Sequence, residues 1–149
     1  GDVAGADRHF DRASRLDGER FPPPCRVDGD EFGKQVERAR SLLPAEFGAH
    51  LERVGVIVDE LPSDELLREE SPPLEPDLLG LFVGVAIDGQ SYLSPGGELP
   101  PRIYLFKRNL ERSVRRPGEL AAQIRDTLYH ELGHYLGMDE EDLERADFA

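Results

Sequence analysis

Apolar residues recur along the chain in different rhythms, and each rhythm predicts an element. Phe32, Val36, Ala39, Leu42 and Leu43 fall at helical spacing behind Asp30, which can cap the helix they define. Pro44 opens a second short helix over 44–52, because proline is tolerated in a first turn. Val54-Gly55-Val56-Ile57-Val58 is short and β-branched, the pattern of a buried strand. Residues 59–77 carry Pro62, Pro72, Pro73 and Pro76 with an acidic excess, and read as a connecting loop with one helical turn over 63–69.

A second apolar run, Leu78-Leu79-Gly80-Leu81-Phe82-Val83-Gly84-Val85, reads as a strand whose two glycines mark bulges or the close approach of another backbone. A turn-rich stretch over 88–101 leads to Arg102-Ile103-Tyr104-Leu105-Phe106-Lys107, the third strand, and 109–114 reads as a short helix. Pro117 and Gly118 then open a long C-terminal helix. Its ridge of Leu120, Ile124, Leu128, Leu132 and Leu136 recurs every fourth residue and must bury against the sheet. Residues 1–29 are polar, interrupted by glycines and by Pro22-Pro23-Pro24, and read as a flexible extension. Residues 30–149 are expected as a single domain of the α+β class, a small mixed sheet of about three to four strands packed against helices.

Composition narrows the partners. The formal net charge of −13 argues against nucleic acid and anionic membrane, both of which require a basic face. No apolar run reaches the length of a membrane span, and no signal-like stretch follows a basic start. Cys25 is the lone cysteine, so no internal disulfide framework exists, and a cytoplasmic compartment is the simpler expectation.

The chemistry concentrates at the end of the last helix, in His130-Glu131-Leu132-Gly133-His134-Tyr135-Leu136-Gly137-Met138-Asp139-Glu140. Histidines four apart project from one helix face, so both imidazoles can converge on one Zn²⁺. Glu131 leaves the same helix beside the metal and can act as general base on a water. Gly137 is a helix stop, and beyond it lie Asp139, Glu140, Glu141, Asp142 and Glu144, any of the first four within reach as a third ligand. Tyr104, Tyr129 and Tyr135 each offer a phenol for an oxyanion, and spacing singles out none of them.

These pieces resemble the minimal zincin-like metallopeptidase family of small bacterial proteins. The resemblance covers residues 31–145 and rests chiefly on Thr127-Leu128-Tyr129-His130-Glu131-Leu132-Gly133-His134-Tyr135-Leu136-Gly137-Met138-Asp139-Glu140-Glu141. It implies a reduced zincin core holding Zn²⁺ through His130, His134 and Glu140, with Glu131 as base. Asp139, Glu141 and Asp142 remain competitors for the third position. The implied activity is peptide-bond hydrolysis on a peptide or protein substrate by a protein expected as a monomer. The alternative is a metal-binding or catalytically inactive interaction protein on the same frame.

Overall fold

The computed structural model describes residues 2–89, 91–92 and 100–145. Its first core helix is preceded by one that the sequence pattern does not announce, α1 (Val3–Leu16), capped by the Asp2 side chain on the Gly5 N–H. The core helix itself, α2 (Gly29–Ser41), starts behind Asp28, not Asp30; Asp28 accepts the Glu31 N–H at 2.8 Å. Phe32, Val36 and Ala39 of α2 and Leu43 beyond it turn inward, whereas Leu42, expected in the same row, is 48% exposed. It stands at the C-cap, where the chain leaves the helical rotation that would have carried it inside.

α3 (Ala45–Leu51) follows Pro44, and the chain then alternates strands and short helices: β1 (Gly55–Asp59), α4 (Asp64–Arg68), β2 (Gly80–Val85), β3 (Ser91–Tyr92), β4 (Arg102–Phe106) and α5 (Lys107–Ser113). The long α6 (Leu120–Tyr135) and the short α7 (Glu140–Arg145) close it. Most of the turn-rich stretch expected over 88–101 lies outside the described residues.

The strands form a mixed sheet in the order β1-β4-β2-β3. β1 runs parallel to β4, while β2 is antiparallel to both β4 and β3. β1 is therefore an outer strand and not a buried one, with Gly55, Val58 and Asp59 exposed. Its β-branched residues report that it suits a pleated surface, which an edge and a centre satisfy equally. The two glycines of β2 do mark close approaches. A side chain on Gly80 would meet Thr127 of α6 at 2.6 Å, and one on Gly84 would meet the Pro101 backbone at 2.8 Å.

One face of the sheet meets α6, and α2 packs along the other side of that helix. The core joins Phe32, Val36, Ala39 and Leu43 to Leu120, Ile124, Leu128 and Leu132 of α6 and to Phe82, Ile103 and Leu105 of the sheet. Leu120, Ile124, Leu128 and Leu132 of the ridge are thus the central layer between helix and sheet, whereas Leu136, expected in the same row, stands at the C-cap and is only partly buried.

Residues 1–29, expected as a flexible extension, contain α1 and deliver Cys25 into the core at 6% exposure. Charge, not apolar period, ties them down, which is why hydrophobic patterning misses them. Asp7 accepts from Arg26 at 2.6 Å and lies 3.4 Å from Arg108. The Arg26 hydrogen bond and both guanidinium charges hold the Asp7 carboxyl below its ordinary 3.8, so this tie is present at neutral pH and is lost as pH falls through the acid range. Further in, the fully buried Glu111 accepts the Val27 N–H at 2.7 Å and lies 3.4 Å from the Lys107 Nζ. Removing one partner of a buried charged pair strands the other without solvent. Glu111→Ala is expected to lower unfolding stability by about 3–5 kcal/mol in urea denaturation; a loss below about 1 kcal/mol would show the pair to be idle.

Candidate metal centre

α6 is a helix of good formers, and its start is fixed by a turn at Pro117–Glu119 in which the Glu119 carboxylate accepts the Arg115 N–H at 2.9 Å and the Arg116 N–H at 3.3 Å. Its last turns carry His130, Glu131 and His134. The imidazoles of His130 and His134 sit side by side, ring centroids 5.0 Å apart and planes at 82°. His134 is the more enclosed, and burial together with the neighbouring His130 lowers its pKa, against an opposing pull from Glu140. A lowered pKa favours the neutral imidazole that a metal requires.

The third candidate arrives by a tight reversal. Gly137 adopts φ +79°, a left-handed conformation that a β-carbon would strain. Around it the Gly137 N–H donates to the His134 carbonyl at 3.0 Å and the Met138 N–H to the Gly133 carbonyl at 2.9 Å. That pair of bonds is the Schellman pattern, which ends α6 and turns the chain back along it. Asp139 then accepts the Asp142 N–H at 2.8 Å, and Asp142 accepts the Asp139 N–H at 3.3 Å. This reciprocal cap starts α7 and engages one oxygen of each carboxylate. Glu141 is paired with Arg145. Glu140 is left to face α6, and its Oε1 lies 3.5 Å from His130 Nε2 and 3.3 Å from His134 Nε2.

Those separations have a chemical meaning. Donors 2.0–2.1 Å from a tetrahedral centre stand roughly 3.3–3.4 Å from each other. The three ligand atoms, all within 4.8 Å of one another, form the metal-type cluster found among the described residues. Two neutral imidazole nitrogens and a carboxylate oxygen are all acceptors, and a cation is what such a set holds. The structure thus brings together His130, His134 and Glu140 and leaves Asp139, Glu141 and Asp142 committed elsewhere.

Glu131 lines the same cleft from beneath. The residue is 9% exposed, and its Oε2 accepts the Phe82 N–H of β2 at 2.9 Å. Burial pushes its pKa up to about 7, the Phe82 hydrogen bond opposes the rise, and the Glu140 charge adds to it. The cleft runs along β2 as two adjoining hollows. One, of about 310 Å³, has Glu70, Leu74, Leu78 and Phe82 around the His–His–Glu cluster; the other, of about 270 Å³, lies over Leu79, Gln123, Asp126 and Thr127. Asn109 pins the near wall by donating to the Pro76 and Leu78 carbonyls at 2.9 and 2.8 Å. Neither hollow is lined by Tyr104, Tyr129 or Tyr135. Tyr104 stacks on Phe106, Tyr129 tilts against Phe47, and Tyr135 packs near His50 and Phe82.

Leu143 is a site-forming residue that the motif does not contain. It is buried at 5% and lies directly on Gly133, where an added β-carbon would meet its Cδ2 at 2.2 Å. The missing side chain at 133 is the seat for α7, and α7 carries Glu140. The sequence signal was available in Asp139-x-x-Asp142-Leu143, a capping-box spacing followed by an apolar residue. Leu143→Ala is expected to weaken binding of added Zn²⁺ by about 10–100-fold in a competition titration, as loss of an outer support does. Gly133→Val, which obstructs the seat, is expected to do the same with the core intact; unchanged affinity in both would show α7 to be irrelevant to the site.

A profile of the zincin-like metallopeptidase family matches residues 51–149, well over half of the chain. A search of curated proteins finds no match. The matched region holds the sheet, α6 with both histidines, the Gly137 turn and Glu140, so the family's extent and the cluster's geometry coincide. The chain belongs to the zincin-like metallopeptidase family.

Proposed function

We propose that this protein is a zinc-dependent peptidase, with His130, His134 and Glu140 as metal ligands and Glu131 as general base. The observation that carries the reading is the pair of distances from one Glu140 oxygen to the two imidazoles, 3.5 and 3.3 Å, which fits a single tetrahedral ion. The donor set of two histidines and one glutamate suits catalytic zinc, because three protein ligands leave a position open. When bound there, the ion supplies a lowered pKa to a water and polarises a substrate carbonyl.

The remaining work falls to the chain. Glu131 accepts the proton of the attacking water on a carboxylate oxygen and returns it to the departing amide nitrogen, so the peptide bond breaks with no net change in the enzyme. Its Phe82 hydrogen bond keeps the carboxylate in one orientation during both transfers. The substrate strand is held along β2: among the described residues β3 pairs with it at Gly84 and Val85, and Gly80 to Phe82 line the hollow beside the His–His–Glu cluster. β4 is an inner strand and is not available for this role. β2 lines both hollows, and no residue of β4 does.

Glu131→Gln is expected to retain Zn²⁺ at wild-type stoichiometry and to lose cleavage of an unfolded protein substrate by at least about 100-fold, read by metal analysis and gel assay. Wild-type turnover in Glu131→Gln, or zinc content unchanged by His134→Ala, would overturn the assignment.

A further inference from the structure

Most of the chain's negative charge gathers on segments that border the metal cleft. The near wall, residues 64–77, holds Asp64, Glu65, Glu69, Glu70, Glu75 and Asp77 against the single base Arg68. α7 and its cap, which bring Glu140 to the cleft, hold Asp139, Glu140, Glu141, Asp142 and Glu144 against Arg145. Net charges of −5 and −4 on these short segments supply most of the −13 of the whole chain.

The near wall is fixed in place. α4 is capped by the Ser63 hydroxyl, which accepts the Leu66 N–H at 3.1 Å, and the Leu74 N–H donates to the Leu67 carbonyl at 2.9 Å. Asn109 holds its far end through the Pro76 and Leu78 carbonyls. The loop closed by Leu67 and Leu74 thus carries Glu70 onto the larger hollow, beside Leu74, Leu78 and Phe82. Glu70 is exposed and makes no hydrogen bond or ion pair among the described residues.

The other charges in the cleft are matched. The two charges of a bound zinc ion offset those of Glu140 and of Glu131 in its base form. At the opposite end Arg125 donates twice to Asp126 Oδ1, at 2.8 and 2.6 Å. Among the described residues no lysine or arginine lines either hollow. Glu70 is left to set the sign.

We propose that the cleft selects cationic peptide segments, a lysine or arginine side chain entering the larger hollow with its charged end on Glu70. This selectivity rests on the peptidase reading of the same site. Long basic side chains suit the hollow because they are amphipathic: the aliphatic stem lies along Leu74, Leu78 and Phe82 while the head stays at the wet rim. A leucine covers the same apolar wall and leaves Glu70 unpaired. A glutamate is repelled by Glu70 and by the carboxylates flanking it. One exposed ion pair is worth little alone, but a cleft bordered by a single sign of charge focuses its field and concentrates an oppositely charged ligand.

Fluorescence anisotropy on the zinc-loaded Glu131→Gln protein compares labelled, unstructured peptides that carry lysine, norleucine or glutamate at one position. Norleucine keeps the stem and removes the charge. At low salt the lysine peptide is expected to bind about five- to tenfold tighter than the norleucine peptide, with the glutamate peptide weakest. Adding Glu70→Gln should bring lysine and norleucine to within about twofold. Glu19→Gln, an equal loss of charge at an exposed position outside both hollows, should leave the preference intact. Cleavage of the same peptides by the wild type is read separately. A lysine preference in binding with no cleavage would sink the peptidase reading and support the cationic cleft; cleavage that treats lysine and norleucine alike would do the reverse. Equal or absent binding of the peptides, or a preference that Glu19→Gln erodes as much as Glu70→Gln, would overturn the proposal.

Discussion

Leu143 can rest on α6 only because residue 133 has no side chain, and much of the site's geometry follows from that contact. α7 is six residues long and could not hold itself as a helix in water. Its stability is borrowed from the Gly133 seat and from the Asp139–Asp142 cap, and both act on the segment that carries Glu140. The Gly137 turn sets the direction of the reversal and the seat sets its depth. Together they bring a carboxylate that is itself largely solvent-exposed to a defined distance from two imidazoles.

The same economy of side chains recurs where β2 crosses α6. At Gly80 the strand lies so close to Thr127 that a methyl group would collide. That closeness is what lets Glu131, one turn further along α6, reach the Phe82 amide. Glycines at 80, 133 and 137 therefore serve one purpose through different means: two by leaving space, one by permitting a left-handed backbone. The site is shaped as much by absent side chains as by the imidazoles and carboxylates that line it.

Much of this was legible in the sequence because its cause is local. The spacing of His130 and His134 fixes their common face, Gly137 fixes the stop, and the four-residue ridge of α6 fixes which side is buried. Choosing among Asp139, Glu140, Glu141 and Asp142 was not legible from spacing alone, since it depends on which carboxylates the cap and Arg145 consume. The position of β1 was misread for a related reason: a run of Val and Ile describes a strand and not its neighbours. α1 escaped notice because Asp7, Arg26 and Arg108 hold it by pairing across distant sequence, which no periodicity records.

The sequence separations within the site carry a consequence for how it assembles. The metal-type cluster spans residues 130 to 140, so its closure costs the entropy of only a short loop. Glu131 depends on a hydrogen bond to Phe82, a partner 49 residues away across the chain. The candidate cluster thus lies within one helical hairpin, whereas the Glu131 hydrogen bond needs the finished sheet. A change in β2 therefore reaches Glu131 through one long-range hydrogen bond, while the spacing of the two imidazoles and Glu140 is set inside the hairpin.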